Sequence, residues 1–291
     1  MENSIPTTVI LPASLFIIMI GMGLALTLDV FRRVVRFPKA VAVGLSNQLI
    51  FVPIIGFFVA YLFPLSPALA VGVMMIAACP GGATSNLITH VAKGDIALSV
   101  TLTAVSSCVT VFTIPLIINW ALSYHLGQTQ EIKLPVLKTM GQVFSITALP
   151  VSLGMLIRSR NQAFAQRMEK PMRIASTIIF IAILLGIVAA NFDVLIESFG
   201  SLGPSTFCLN MATMGMGYLG ARLLGLNLAQ TLSIIIESGI QNGTLAIVIA
   251  SSILFMPEMG LPAAIYTIFM FSSGGFMMWY FGRRETGELK E

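Results

Sequence analysis

Residue Glu237 is an acidic side chain inside an apolar stretch, in the run ESGIQNG at residues 237–243. The other acidic residues fall at the ends of apolar segments or between them. An unpaired carboxylate in hydrocarbon costs several kcal/mol, so such a residue is by default a functional-site candidate. No basic residue lies inside an apolar segment to pair with it, which makes a bound cation the expected partner. The structural alternative is a protonated carboxyl group hydrogen-bonded between helices.

A second polar interruption, CPGGATSN, occupies residues 79–86 of another apolar segment. Pro80 lacks a backbone donor, and Gly81 and Gly82 have low helix propensity, so the sequence predicts a broken helix here and another at 237–243. A broken helix frees carbonyl groups that can replace the hydration shell of a cation. The positive amino end of the half-helix that follows can hold an anion.

Further oxygen-bearing side chains lie in two other apolar segments, at Asn47 and Gln48 and at Ser99, Thr101 and Thr103. Ser99 and Thr103 are four residues apart and share a helix face. Neutral oxygens with one carboxylate form a hard ligand set that suits sodium, whereas soft metals favour thiolate or imidazole. Each hydroxyl could instead bond back to its own helix, an alternative that the spacing leaves open.

The composition identifies the class of protein that positions these groups. The 291 residues are 56% hydrophobic and only 10% charged, against roughly 25% charged in soluble domains. Apolar stretches of about 20 residues recur along the chain, which is the length of a helix that spans a bilayer. Three cysteines lie in apolar stretches without metal-ligand spacing. The sequence therefore predicts an all-α polytopic membrane protein.

Nine apolar segments divide the sequence, and each is predicted to be a transmembrane helix. They cover residues 7–28, 39–63, 66–92, 95–122, 135–157, 173–191, 203–222, 228–256 and 261–281. With the amino terminus outside and the carboxyl terminus cytoplasmic, 14 of the 16 basic residues fall on the inner side. The positive-inside rule favours that orientation.

The predicted segments also suggest an internal repeat. Segments one to four and six to nine are related by an offset of about 163 residues, and an odd number of crossings separates each pair. The second half would therefore enter the membrane inverted. Inverted repeats with two broken helices are typical of secondary transporters.

The chain resembles the bile acid:sodium symporter family. The motifs that carry the resemblance are CPGG through Ser85 and Asn86, the run GDIALS at 94–99, and ESGIQN at 237–242, with Gln48 at the expected spacing before Asn86. The resemblance implies that two sodium ions bind side chains or backbone oxygens of nine residues: Ser85, Asn86, Ser99, Thr103 and Glu237 at the first site; Gln48, Glu237, Gln241, Ser238 and Ile240 at the second. It also implies that Asn242 and Thr84 face the organic anion.

The resemblance further implies a single transporter domain over 1–291 with two parts. The core would comprise about 39–122 and 203–281, and the panel about 7–28 and 135–191, with the two broken helices crossing in the core. Two departures from bacterial relatives are a missing extra first helix and the order Gly-Gly-Ala-Thr-Ser-Asn where the family has Gly-Gly-Thr-Ala-Ser-Asn. The changed order moves a hydroxyl group by one position at the end of the motif where the resemblance places the substrate.

The resulting hypothesis is a multi-pass symporter of the cell inner membrane that imports a small organic anion with sodium by alternating access. The anion would be bile-acid-like or a short carboxylate such as pantoate. Lipid is the expected surrounding; an organic cofactor, a nucleic-acid partner and an oligomer are not implied. The alternatives are a related arsenite-type efflux permease that uses the Cys79 thiolate, and an intramembrane enzyme. The sequence contains neither the His-Glu-x-x-His pattern nor the paired intramembrane aspartates that such an enzyme would need.

Overall fold

The structure is a computed structural model that describes residues 9–127 and 135–283. Its named elements are all helices, which confirms the all-α prediction for this part of the chain. The α-helices are α1 (Leu11–Ala25), α2 (Asp29–Arg36), α3 (Pro38–Ser46), α4 (Val52–Leu62), α5 (Pro67–Ala78), α6 (Thr84–Val91), α7 (Ile96–His125), α8 (Val136–Ile146), α9 (Ala148–Arg160), α10 (Gln162–Ala190), α11 (Phe192–Leu223), α12 (Leu228–Gly239), α13 (Gly243–Val248) and α14 (Leu261–Gly282).

Several helices are long and apolar enough to cross a membrane. Within the described residues there are 5 by length and composition, or 6 if the bent pair α1 and α2 is one span. Residues 67–78 and 243–253 form shorter apolar helices. The helices α10 and α11 begin well before the predicted segments at 173 and 203. Polar residues can continue a helix beyond the hydrocarbon, so apolar length underestimates helix length.

Both predicted interruptions are present, and the two chain breaks cross each other. The first lies between α5 and α6, and the second between α12 and α13. At the crossing Gly81 and Gln241 form an antiparallel bridge. The Gly82 amide donates to the Ile240 carbonyl at 2.8 Å, and the Asn242 amide donates to the Pro80 carbonyl at 2.9 Å. This pairing satisfies backbone groups that neither helix can satisfy.

A π-helical turn, Asn47–Phe51, joins α3 to α4. Pro53 follows in the first turn of α4, and a proline disrupts the regular hydrogen bonding of the helical turn before it. A wider turn is one way to accommodate that disruption, and such turns often occur at functional sites. Asn47 and Gln48 both lie buried in this turn.

The helices α1 and α9 pack at very close range through two glycines. A Cβ built on Gly154 would lie 2.5 Å from the Ile20 carbonyl oxygen, and one built on Gly23 would contact the Val151 carbonyl oxygen. Beyond this contact the Arg158 guanidinium donates to the Leu24 carbonyl at 2.6 Å. Close backbone approach through small residues is the usual way in which membrane helices associate.

We expect Gly154→Ala to destabilise the protein by about 1–3 kcal/mol, because the added methyl group meets backbone atoms that cannot rotate away. Thermal unfolding of the detergent-purified variant measures the effect. Gly186→Ala on α10 is the matched control, since a Cβ there has no neighbour within 4 Å, and it should be neutral or stabilise by up to about 1 kcal/mol. Equal melting temperatures for the two variants would contradict the close packing of α1 and α9.

Candidate cation site

The carboxyl group of Glu237 lies at the centre of a buried cluster of hydroxyl groups. Glu237 is in the last turn of α12 and only 1% exposed. Its Oε2 accepts hydrogen bonds from Ser85 Oγ at 2.7 Å and from Ser99 Oγ at 3.2 Å, and its Oε1 accepts one from Thr103 Oγ1 at 2.6 Å. The predicted site residues Ser85, Ser99, Thr103 and Glu237 are therefore brought together by helices α6, α7 and α12.

No basic side chain pairs with Glu237 among the residues that the structure describes. The hydroxyl groups are neutral, so they solvate a carboxylate without balancing its charge. Each hydroxyl also has lone pairs that can turn toward a cation. The arrangement thus suits a small hard cation bound beside the carboxylate, with the hydroxyls as further ligands.

The Thr103 hydroxyl also lies 3.0 Å from the Ser99 carbonyl of its own helix. The sequence left open whether Ser99 and Thr103 bond back to α7 or face a site. In the structure Thr103 does both, and Ser99 contacts Glu237 and Thr89. Thr101, between them, instead donates to Ala97 and Val30 carbonyls, so the face of α7 shared by Ser99 and Thr103 is the one that meets the carboxyl group.

An amide cluster adjoins the same end of α12. Gln48 Nε2 donates to Gln241 Oε1 at 2.8 Å and to the Cys79 carbonyl at 3.0 Å. Gln241 Nε2 in turn donates to the Ser238 carbonyl at 2.7 Å. The Ile240 carbonyl, also predicted as a ligand, accepts the backbone bond from Gly82. The second predicted set of ligands therefore lies along the crossing of the two chain breaks.

Four side-chain carbonyl oxygens near this crossing are buried without a hydrogen-bond donor among the described residues. They belong to Asn47, Gln48, Asn86 and Asn210. A buried acceptor without a partner costs about 1–3 kcal/mol, so each needs an explanation. A cation would satisfy such oxygens, and those of Gln48 and Asn86 belong to the predicted ligand sets. Asn86 makes no hydrogen bond to the other predicted ligands.

The two predicted anion-binding residues lie at the amino ends of the second half-helices. Thr84 is the first residue of α6 and is half-buried beside the exposed Ala83. Asn242 is 7% exposed, and its Oδ1 caps α13 by accepting from the Leu245 amide at 3.0 Å. No side-chain hydrogen bond joins Thr84 and Asn242 in the described structure.

Three further polar residues contact the broken helix α12, and none was among the predicted ligands. Asn47 Nδ2 donates to Ser238 Oγ, and Asn210 and Tyr266 contact the Gly239 carbonyl. The repeat offset of about 163 residues leads from Asn47 to Asn210, so that signal was available in the sequence. The same offset leads from Thr103 to Tyr266, so the repeat pointed to both residues.

The described residues contain no group of three or more His, Cys, Asp or Glu side chains that could hold a metal ion. The polar cluster instead combines one carboxylate with hydroxyl, amide and backbone oxygens. Crossed, broken helices around such a cluster are a feature of secondary transporters that bind alkali cations.

The sequence model of the sodium bile acid symporter family matches residues 12–198, more than half of the chain. The chain belongs to this family, which consists of sodium-coupled transporters rather than enzymes. The resemblance drawn from the motifs is thereby confirmed. Glu237 lies beyond the region that the family model matches. The alignments with the individual relatives cover at least 87% of the chain, so they extend past residue 198.

Pairwise comparisons with individual proteins indicate the same family. The chain is 32% identical to "Probable sodium/metabolite cotransporter BASS1, chloroplastic" of Arabidopsis thaliana over 87% of its own length and 62% of that protein's. It is 29% identical to "Uncharacterized sodium-dependent transporter YocS" of Bacillus subtilis (strain 168), over 92% and 81%. It is 27% identical to the human "Ileal sodium/bile acid cotransporter", over 88% and 72%. The chain thus spans about three fifths of the plant relative.

Proposed function

We propose that this protein imports a small organic anion together with two sodium ions by alternating access. The observation that carries the proposal is the buried Glu237 carboxyl group, which three hydroxyls contact and no described basic side chain neutralises. Membership of a sodium-coupled family supports sodium as the cation.

The first sodium ion would bind at the hydroxyl cluster. Ser85, Ser99 and Thr103 already converge on Glu237, and Asn86 follows Ser85 on α6 with an unsatisfied buried oxygen. When the ion binds, the hydroxyls would turn their lone pairs to it while the carboxylate balances its charge. Ligands from α6, α7 and α12 would then be held together by one ion.

The second sodium ion would bind at the crossing, between Glu237 and the amides of Gln48 and Gln241. The unsatisfied oxygen of Gln48 supports this placement. The Ser238 and Ile240 carbonyls each accept one hydrogen bond, which leaves each a second lone pair for a cation. This ion would couple α12 to the turn that joins α3 and α4.

The organic anion would bind beside the amino end of α6, near Thr84 and Asn242. Four amide groups at a helix amino terminus lack partners within the helix, and the helix dipole favours negative charge there. The exposure of Ala83 next to Thr84 supports access from outside the protein. A bile-acid-like molecule or a short carboxylate such as pantoate fits this class of site.

We infer nine membrane crossings in two inverted halves, with the amino terminus outside, the carboxyl terminus cytoplasmic and the chain in the cell inner membrane. The two backbone bonds at the crossing support the repeat. Gly82 to Ile240 and Asn242 to Pro80 exchange places under an offset of about 160 residues. The close packing of α1 with α9 supports a panel of about 7–28 and 135–191 that moves against a core of about 39–122 and 203–281.

Uptake by the purified protein in liposomes tests the proposal. An inward sodium gradient should drive accumulation of a radiolabelled carboxylate from a panel of bile acids and short hydroxy acids, and a choline gradient should not. Import of a monovalent anion with two sodium ions moves one net charge, which is worth about 2.3 kcal/mol per 100 mV. An inside-negative potential should therefore increase uptake. Uptake equal in sodium and choline would overturn the proposal.

The arsenite-type alternative requires the thiol of Cys79. The side chain of Cys79 is buried, and its contribution to the amide cluster is its backbone carbonyl. We expect Cys79→Ala to keep sodium-dependent carboxylate uptake within about twofold of wild type and to cost about 1 kcal/mol of stability. Loss of transport in a folded Cys79→Ala protein, together with thiol-dependent metalloid efflux by the wild type, would favour the alternative.

A further inference from the structure

The last carbonyl of the half-helix α12 is held by two side chains from other helices. Asn210 on α11 donates from Nδ2 to the Gly239 carbonyl at 2.9 Å, and the Tyr266 hydroxyl on α14 donates to the same oxygen at 2.9 Å. Asn210 Nδ2 also lies 3.2 Å from the Tyr266 hydroxyl. Asn210 and Tyr266 are both 0% exposed. We name these two residues the Gly239 clamp.

The same kind of contact occurs on the other half of the molecule. Gln48 donates to the carbonyl of Cys79, which caps the half-helix α5. Under the offset of about 160 residues that relates the two chain breaks, Cys79 corresponds to Gly239. Gln48 and Asn210 are then two amides that donate to corresponding carbonyls, although the repeat places Asn210 opposite Asn47, the neighbour of Gln48. Gln48 already belongs to the proposed second sodium site. Asn210 lies in a comparable position beside the break between α12 and α13.

The clamp fixes the direction of the carbonyl groups on either side of it. Ile240 follows with extended backbone angles, φ −106° and ψ 91°, and successive carbonyls point to opposite sides in an extended chain. Holding the Gly239 carbonyl toward α11 and α14 therefore directs the Ile240 carbonyl toward the other chain break, where it accepts from Gly82. The clamp thus sets the orientation of a proposed sodium ligand that it does not touch.

Gly239 itself is needed for this contact. A Cβ on Gly239 would lie 2.7 Å from Met214 Sδ and 3.4 Å from Asn210 Nδ2. The absent side chain lets α11 approach closely enough for the Asn210 amide to reach the carbonyl.

We propose that Asn210 and Tyr266 are positioning residues that set the affinity of the second sodium site by holding the Gly239 carbonyl. The inference rests on the proposed function, because it requires sodium to bind at the crossing. It adds two residues from α11 and α14 to the residues that control coupling. A conformational change that moved α14 against α12 would change sodium affinity through this contact.

The test is sodium-dependent thermal stabilisation of full-length detergent-purified Tyr266→Phe and Asn210→Ala, with choline replacing sodium at constant ionic strength. Each variant removes one hydrogen bond to the clamped carbonyl, a net effect that corresponds to roughly a fivefold change in an equilibrium constant. We expect the sodium concentration at half-maximal stabilisation to rise roughly fivefold, and the Hill coefficient to fall toward 1 as one of two sites weakens.

The matched control is Thr206→Val, which removes a buried hydroxyl on α11 that bonds to the Leu202 and Gly203 carbonyls of its own helix. It should lower the melting temperature in choline without moving the sodium midpoint. If Tyr266→Phe and Asn210→Ala behave like this control, their role is only structural and the inference fails.

If the wild type itself shows no sodium-specific stabilisation, the proposed function fails first. If both variants unfold during purification, the titration is repeated with Asn210→Ser, whose shorter side chain loses the bond to the Gly239 carbonyl but leaves a polar group in the site, and an unchanged midpoint overturns the inference.

Discussion

Sodium should stabilise the wild-type protein against thermal unfolding, and Glu237→Gln should abolish that stabilisation. A ligand that binds only the folded state stabilises it by RT ln(1 + [L]/Kd), about 2.7 kcal/mol at 100 times Kd. Glu237 is the carboxylate shared by both proposed ions, so its loss removes the charge that balances them. The glutamine oxygen can accept from the hydroxyls on one side, and its amide NH2 can donate to the hydroxyl lone pairs on the other side, so the folded state should persist. Differential scanning fluorimetry in sodium and in choline measures the effect.

The control for this variant is Glu197→Gln, which makes the same chemical change at an exposed position on α11. Its sodium-dependent stabilisation should equal that of the wild type. In liposomes, Glu237→Gln should show no sodium-driven uptake. Retention of a saturable sodium effect in Glu237→Gln would place the cation elsewhere and remove the main support for the proposed sites.

A second large effect is expected from Gly81→Ala. A Cβ at Gly81 would contact Glu237 Oε1 and lie 2.6 Å from the carboxyl carbon. The carboxyl group is the end of a flexible side chain, so it can move aside, and the fold should survive. Its displacement would break the alignment with Ser85 and Thr103 that the proposed first site requires. We expect sodium affinity to fall about tenfold or more, equivalent to about 1.4 kcal/mol, as a higher midpoint in the same titration.

Gly275→Ala on α14 is the control for the added methyl group, because a Cβ there has no neighbour within 4 Å. It should leave the sodium midpoint unchanged. An unchanged midpoint in Gly81→Ala as well would mean that the position of the Glu237 carboxyl group does not limit cation binding. A loss of folding in Gly81→Ala is tested independently by its melting temperature in choline.

The class of the protein and the location of its two chain breaks follow from the amino-acid sequence alone. Low charge and long apolar segments require helices in lipid, because unpaired backbone groups cannot be tolerated there. Pro80 and the glycines at 81, 82, 239 and 243 act locally, so they mark the interruptions whatever the rest of the chain does. The carboxylate of Glu237 can also be recognised locally. The free energy needed to place a charge in an apolar segment depends on the residue itself and not on the rest of the chain.

Which polar groups meet, by contrast, depends on the tertiary structure. Thr101 and Thr103 are equally polar and two residues apart, yet only Thr103 contacts Glu237, because α7 presents a single face to α12. The pairing of Gly81 with Gln241 and the clamp of Asn210 and Tyr266 on Gly239 join residues far apart in the chain. Such contacts depend on how whole helices cross, and no local spacing encodes a crossing between distant helices.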